Sequence, residues 1–109
     1  MPRLRADGAA AVQAFLAAEP RPTAVAAFDD DTALRVLTAL RDLGLTAPGD
    51  LAVIGFDDTD YGALVDPALT TVHVDAEEHG RKAAREVLGL DPGPLARYAP
   101  GRVIVRESA

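Results

Sequence analysis

The amino-acid sequence predicts an α/β fold in which short parallel strands alternate with helices. Residues 23–28 (TAVAAF) and 51–56 (LAVIGF) are two nearly continuous apolar runs of strand length. Such runs are typical of parallel strands that are covered on both faces. A stretch with apolar residues at helical spacing separates them, which gives the strand–helix–strand order of a parallel sheet.

The first two helices are predicted from apolar spacing and from the residues at their ends. The first is expected to begin at Asp7 as its N-cap, and prolines at positions 20 and 22 end it. The second follows the acidic residues Asp30 and Asp31, which we expect to cap it because carboxylates suit a helix N-terminus. It ends before Gly44, since glycine suits the position after a helix.

The third helix is predicted from a capping box. Asp75 stands three residues before Glu78, and the helix is expected to run through Leu88, with a glycine after it. Its apolar positions fall on one face. The remaining predicted segments are a β-branched strand at 69–74, a loop rich in proline and glycine at 91–101, and a closing strand at 102–106.

Composition and charge exclude several classes of function. The formal net charge is −6, which works against direct contact with DNA because neutralising phosphates requires a basic face. The chain has no cysteine, so disulfides and thiolate metal sites are excluded. No apolar run has the length of a membrane span, and no apolar region follows the arginines near the start. We therefore expect neither a membrane segment nor a secretory signal.

One short pattern occurs twice, each time where a predicted strand ends. Phenylalanine and two aspartates stand at 28–30 and again at 56–58. Because the carboxyl ends of parallel strands meet at one edge of a sheet, the two pairs of carboxylates are expected to converge there, where open α/β sheets bind ligands. Carboxylates accept hydrogen bonds from vicinal hydroxyls or hold a hard cation. The pattern therefore predicts that two acidic clusters converge where a small ligand would bind.

Catalysis and metal binding are not predicted. The aspartates at 29–31 do not form the pattern of a metal-dependent phosphotransferase, and the sole lysine, Lys82, lies on a distant helix. His73 and His79 are six residues apart, which is not the spacing of a zinc-binding helix. Ser108 is the sole serine and has no nucleophile setting. We expect no catalytic residue, no metal site and no cofactor.

These segments, taken in order, resemble the LacI/GalR family of bacterial transcriptional regulators. The resemblance extends from about residue 8 to residue 84 and returns near the C-terminus. The combination of GFDD with a following P-x-LTTV is its most specific part. The matching segments are PTAV at 22–25, Asp30 with Ala33-Leu34, residues 37–44, P-x-D at 48–50, VIGFDD at 53–58, P-x-LTTV at 67–72, Gly80, and VR-x-S at 105–108.

The resemblance implies a sensor with two lobes and a periplasmic-binding-protein-like type I fold. Residues 1–109 would supply the C-terminal portion of its effector-binding domain, as a truncated parallel-sheet βαβ lobe. In the family, the helix corresponding to residues 75–88 belongs to the other lobe. The implied protein is a cytoplasmic homodimer whose effector is a sugar or a nucleoside. It would contact DNA only through an N-terminal helix-turn-helix domain that this sequence does not contain.

The resemblance also implies roles for individual residues. Asp57 matches an aspartate that commonly contacts effector hydroxyls, and Asp29 falls where many members have asparagine. An ionised aspartate only accepts hydrogen bonds, so this departure favours an effector rich in donors. Arg3 falls near a position where many members place an aromatic ring against the effector, and it is a third candidate contact. The implied dimer interface consists of Leu34, Thr38, Leu64 and Val65.

Two other functions are compatible with the sequence. A solute-binding protein of a sugar uptake transporter shares the two-lobed fold, although such proteins usually lack the GFDD and LTTV segments. A degenerate regulator that dimerises without sensing an effector would show the same residues.

Overall fold

The computed structural model describes residues 2–90 and 101–109, with side chains from Leu4 onwards. The loop predicted at 91–101 therefore lies outside the described residues except for Gly101. The described helices and strands follow one another as α1 (Pro2–Leu16), β1 (Ala24–Ala26), α2 (Asp30–Asp42), β2 (Ala52–Ile54), α3 (Asp60–Leu64), β3 (Thr71–His73), α4 (Ala76–Val87) and β4 (Arg102–Ile104).

Strands β1 and β2 form a parallel pair, as the two apolar runs predict. Val25 lies opposite Val53 in the register of this pair. On the other edge of β2, Ile54 forms a parallel bridge with Thr70, and the Val53 amide donates to the Ser108 carbonyl at 2.8 Å. Strand β3 then pairs antiparallel with β4. The predicted α/β fold with parallel strands is confirmed, although each strand is shorter than its apolar run.

The core lies between α1, α2 and the β1–β2 pair. Its fully buried side chains come from the inward face of α2, from β2 and the residue before it, and from the segment before β3. Because these residues are aliphatic, the part of the core that the structure describes contains no aromatic ring. Its buried members are Val12, Ala33, Ala39, Leu40, Leu51, Val53 and Leu69.

Two predictions about helix ends are wrong. Helix α1 begins at Pro2, so Asp7 lies inside it and does not form its N-cap. The N-cap of α2 is Asp29, whose Oδ1 accepts a hydrogen bond from the Thr32 amide at 2.8 Å. Asp30 is instead fully buried, and Asp31 forms an exposed ion pair with Arg35 one turn later. The sequence could not separate the three, since any aspartate can cap a helix.

The segment between β2 and β3 contains a short helix, α3, which is not among the elements predicted from the sequence. It is five residues long, and its N-cap Thr59 makes no side-chain capping hydrogen bond. The segment has no apolar periodicity of helical length, which explains why it was missed.

Helix α4 stands apart from the core and has Asp75 as its N-cap, which is one half of the predicted capping box. The Glu78 amide donates to Asp75 Oδ1 at 3.0 Å. None of its residues is buried, and the side chains of Val87 and Leu88 are 86% and 69% exposed. Its apolar face therefore has no partner among the described residues. No described helix has the length and apolarity of a membrane span.

Candidate functional site

The predicted site aspartates follow two strand ends that are joined by backbone hydrogen bonds. The Ala27 amide donates to the Ile54 carbonyl at 2.8 Å, and the Asp30 amide donates to the Phe56 carbonyl at 2.9 Å. Asp29 directly precedes Asp30, and Asp57 directly follows Phe56. The structure therefore places both predicted carboxylates at the same edge of the parallel pair.

Asp29 is ionised at neutral pH, and one of its carboxylate oxygens already accepts a capping hydrogen bond from α2. The hydrogen bond from the Thr32 amide lowers the pKa of the Asp29 carboxyl from its ordinary value. A carboxylate has several acceptor positions, so capping leaves Asp29 able to accept further donors. The side chain is half-buried and lies at the edge of the sheet. It can both begin α2 and contact a ligand.

Asp57 is exposed and has an unusual backbone conformation. Its φ is +107°, and its amide donates to the Val72 carbonyl at 3.0 Å. Its carboxylate makes no hydrogen bond or ion pair with any other described residue. A non-glycine residue in this region of φ is strained, and such strain is often found at ligand sites. Asp57 is thus the less constrained of the two carboxylates.

Asp30 supports the site from inside and does not face a ligand. Its carboxylate accepts hydrogen bonds from the Thr59 amide at 2.7 Å, from the Thr59 hydroxyl at 3.0 Å and from the Thr71 hydroxyl. These bonds join the start of α2 to the chain before α3 and to β3. Gly55 makes room for them, because a Cβ at that position would lie 2.3 Å from Asp30 Oδ1. Asp30 therefore fixes the segment that carries Asp57.

Asp58 is the centre of a second polar cluster, which the sequence analysis did not predict. Asp58 Oδ1 accepts a hydrogen bond from Arg106 Nη2 at 2.9 Å, and Asp58 Oδ2 lies 3.1 Å from His73 Nδ1. The Arg106 Nη1 atom also donates to the Leu69 carbonyl at 2.9 Å. Asp58 and Arg106 are 48 positions apart, so no local pattern indicated their pairing.

Two phenylalanines at the same edge were also missed as candidate site residues. Phe28 directly precedes Asp29 and is 87% exposed, and Phe56 directly precedes Asp57 and is 41% exposed. The repeated Phe-Asp-Asp pattern was the available signal. Arg3, the third predicted contact, lies in α1, and its side chain is outside the described part of the chain.

Three of the four predicted interface residues line one cavity on the exposed side of α2. Leu34, Thr38 and Val65 surround a cavity of about 480 Å³, while Leu64 lies outside it on α3 and is 80% exposed. A second cavity of about 440 Å³ shares Arg5, Leu34 and Thr38 with the first. We call the two together the α2 groove. The other residues lining the first cavity are Arg5, Leu37, Arg41 and Asp66.

The α2 groove and the carboxylate edge are different places on the molecule. Neither cavity includes Asp29 or Asp57. The carboxylate edge remains the better candidate for a small ligand, because ligands of open α/β sheets bind outside the carboxyl ends of the strands. Among the described residues, no group of three or more acidic, histidine or cysteine side chains could hold a metal ion.

Comparison with known proteins identifies the family. The profile described as "Periplasmic binding protein-like domain" matches residues 2–109. The chain belongs to this family of domains, in the form found as the effector-binding domain of LacI/GalR-type transcriptional regulators.

The relatives are transcriptional regulators and repressors. The lactose operon repressor of Klebsiella pneumoniae is 36% identical over 94 residues, which are 84% of this chain and 27% of the repressor. The regulator MalR of Streptomyces coelicolor is 40% identical over 79 residues, which are 70% of this chain and 23% of MalR. The chain thus spans about a quarter of the length of these relatives.

Solved structures agree with the assignment. A LacI family regulator from Arthrobacter sp. FB24 in complex with lactose has a TM-score of 0.69 at 33% identity, over 96% of this chain and 40% of that one. The regulator CelR in complex with cellobiose has a TM-score of 0.71 at 30% identity, over 96% of this chain and 33% of that one. The predicted resemblance to the LacI/GalR family is confirmed.

Proposed function

We propose that this chain senses a sugar-like effector through Asp29 and Asp57, as part of the effector-binding domain of a LacI/GalR-type regulator. The observation that carries the proposal is the hydrogen-bonded junction of the two strand ends, which brings both carboxylates to one sheet edge. The fold places ligands at such edges. Relatives of this class regulate transcription, so the proposed role is sensing and not catalysis.

The chemistry of the edge favours a ligand with several hydroxyl donors. Ionised Asp29 and the unengaged Asp57 carboxylate only accept hydrogen bonds, as the vicinal hydroxyls of a sugar require. Two relatives of known structure are complexes with lactose and with cellobiose, which supports a sugar here. A nucleoside presents hydroxyls on its ribose and is the second ligand class to test.

Phe28 supplies an apolar face beside the two carboxylates. Its ring is almost fully exposed although it directly precedes Asp29. Sugar rings have apolar C–H faces that stack on aromatic rings, while their hydroxyls bind polar groups at the edges. Phe28 would replace the aromatic ring that the family places near Arg3. Arg3 itself stays a predicted contact.

Ligand-induced stabilisation of the chain tests the effector site. Lactose, cellobiose, adenosine and Mg²⁺ are added separately, and the unfolding temperature is measured. We expect a shift with a sugar or a nucleoside, loss of that shift in Asp57→Ala, and its retention in Asp60→Ala. Asp60 is the matched control, because it is an exposed aspartate of the same segment.

Each outcome of this screen has a definite meaning. Equal shifts in Asp57→Ala and in the parent would contradict the site. A shift with Mg²⁺ alone would indicate a cation site. No shift with any ligand would favour a chain that dimerises without sensing. Weak binding is expected even from a functional site, because in a two-lobed protein the ligand is buried between the lobes and this chain offers one side only.

Dimerisation is proposed to use the α2 groove together with α3. Leu34, Val65 and Thr38 line the groove, and the first two are apolar. The exposed Leu64 lies on the adjacent α3. An exposed apolar side chain beside an apolar groove is typical of a surface that a second copy covers. Sedimentation velocity tests this: Leu64→Glu should shift the parent from dimer to monomer, and Ala10→Glu on exposed α1 should not. Equal sedimentation of Leu64→Glu and the parent would contradict the proposed interface.

Helix α4 is proposed to pack against a partner surface outside the described lobe. Its apolar side chains are exposed here, and the family resemblance places this helix in the other lobe. In this chain the packing would occur between copies. A parent chain that stays monomeric at high concentration in light scattering would overturn the packing between copies.

Operator recognition is proposed to reside in a segment other than residues 1–109. The net charge of −6 does not suit contact with phosphates. A regulator of this class would act in the cytoplasm, where its operator lies. Measured affinity of this chain for duplex DNA comparable to that of a basic protein would contradict the proposal that another segment recognises the operator.

A further inference from the structure

The segment that carries Asp57 is held in an unfavourable backbone conformation. Asp57 has a φ of +107° and Asp58 a φ of +53°, and both values lie in the region that side chains disfavour. Such conformations persist only when surrounding contacts over-determine them. The contacts that fix Asp57 therefore decide where its carboxylate points.

Two kinds of contact hold this segment against β3. The Asp57 amide donates to the Val72 carbonyl at 3.0 Å, and the Asp58 amide donates to the Thr71 hydroxyl at 3.3 Å. These backbone bonds are supplemented by the Asp58 carboxylate, which contacts Arg106 at 2.9 Å and His73 at 3.1 Å. Because His73 is the last residue of β3, the Asp58 carboxylate contacts the same strand as the Asp57 and Asp58 amides.

The Asp58–Arg106 pair is shielded enough to hold a fixed geometry, while the His73 side chain is 44% exposed. The side chains of Asp58 and Arg106 are 21% and 20% exposed. Arg106 is itself fixed, because it also donates to the Leu69 carbonyl at 2.9 Å, and its amide donates to the Thr70 hydroxyl at 2.9 Å. A charge-assisted bond from an arginine held at two further points is directional.

We propose that Asp58 is a positioning residue of the effector site, which Arg106 and His73 hold so that the neighbouring Asp57 keeps its ligand-facing conformation. The inference rests on the proposed role of Asp57 as an effector contact. The cluster also ties the effector edge to β3, which leads directly into α4.

Asp30 makes the positioning role separable from folding. It holds Thr59, on the other side of Asp58, through bonds of 2.7 and 3.0 Å, and it holds Thr71 as well. Most of the core side chains lie elsewhere, along α2 and β2. Neutralising Asp58 should therefore leave the fold intact and release the conformation of Asp57.

Amide hydrogen exchange measured by NMR tests the proposal without any ligand. In Asp58→Asn and in Arg106→Gln, exchange at the Asp57 amide should become about tenfold faster or more, because a charge-assisted bond is lost and the segment opens locally. The amides of Ala27 and Asp30, which bond to the neighbouring strand end, should keep their parent rates. Arg106→Lys should recover part of the protection, since it restores the charge.

Controls separate local release from general loss of stability. Asp60→Asn makes the same chemical change at an exposed position of the same segment and should leave the Asp57 rate unchanged. Parent-like exchange at Asp57 in both Asp58→Asn and Arg106→Gln overturns the proposal. Should Asp58→Asn fail to fold, His73→Phe decides, because it removes one donor and keeps a ring of similar size. A local rise at Asp57 then supports the proposal, and a parent-like rate overturns it.

Titration with lactose and cellobiose keeps this inference distinct from the proposed function. A sugar that binds the parent should bind about tenfold more weakly to Asp58→Asn and equally well to Asp60→Asn. Faster exchange at Asp57 with no loss of sugar affinity would support positioning of the segment but refute Asp57 as an effector contact. Unchanged exchange at the Asp57 amide in Asp58→Asn and Arg106→Gln, together with loss of sugar affinity in Asp57→Ala, would refute the positioning role alone.

Discussion

Replacing Asp30 by alanine should destabilise the chain more than any other exchange of an aspartate at positions 29–31. The Asp30 carboxylate is fully buried and accepts three hydrogen bonds, from the amide and hydroxyl of Thr59 and from the hydroxyl of Thr71. Thr59 is exposed, so water can replace its partner, whereas Thr71 is buried and its hydroxyl proton would lose its acceptor, although the oxygen still accepts from the Asp58 amide. An unsatisfied buried group costs about 1–3 kcal/mol, and a bond to a charged group contributes about 1.5–3 kcal/mol.

The structure therefore gives a loss of about 3 kcal/mol or more in the free energy of unfolding for Asp30→Ala. This is a large fraction of the roughly 5–15 kcal/mol that stabilises a typical domain. Urea unfolding followed by far-UV circular dichroism measures it, since the chain has no tryptophan to report by fluorescence. The urea midpoint should fall and the slope should stay unchanged.

Asp31→Ala is the matched control for this experiment. Asp31 lies one residue further along the same helix turn, but its side chain is 72% exposed and forms only an ion pair with exposed Arg35. Such a pair and its helix-end interaction contribute less than about 1 kcal/mol. A loss below about 1 kcal/mol in Asp30→Ala, or equal losses in both variants, would refute the argument that burial and the three bonds set the magnitude.

Three further predictions concern neighbouring parts of the structure. Gly55→Ala should lower stability by about 2 kcal/mol or more, because the new Cβ would lie 2.3 Å from Asp30 Oδ1; an unchanged urea midpoint would contradict this. Ser108→Ala should lower the thermal midpoint by several degrees, since the buried hydroxyl donates to Val53 at 2.6 Å and accepts from the Thr70 amide at 2.8 Å; a midpoint equal to the parent's would refute it. The pKa of Asp29 is lowered by the Thr32 amide, so its cap contributes stability above the unfolded pKa and loses it as pH falls through the folded value. The parent should therefore lose stability relative to Asp29→Asn as the pH falls below the ordinary aspartate value of 3.8, and parallel pH profiles would contradict the capping role.

The sequence was sufficient to predict the alternation of strands and helices and the family. The apolar runs at 23–28 and 51–56 are local features of the sequence, and the N-cap bond of Asp75 joins residues three positions apart, so both follow from neighbouring residues. The same local logic placed Asp29 and Asp57 at one edge, because parallel strands have a fixed direction. Their contact with an effector remains a prediction.

Tertiary structure determined which aspartate caps a helix, which one is buried and which one is exposed. Asp29, Asp30 and Asp31 are adjacent in sequence and chemically identical, yet one caps α2, one is buried and one is exposed. The two partners of Asp30, Thr59 and Thr71, lie 29 and 41 positions away, and Arg106 is 48 positions from Asp58. Such pairings depend on which segments fold against each other, and no local period encodes that. Composition and spacing determined where the acidic groups would gather, whereas only the packed chain determined which of them are free to meet a ligand.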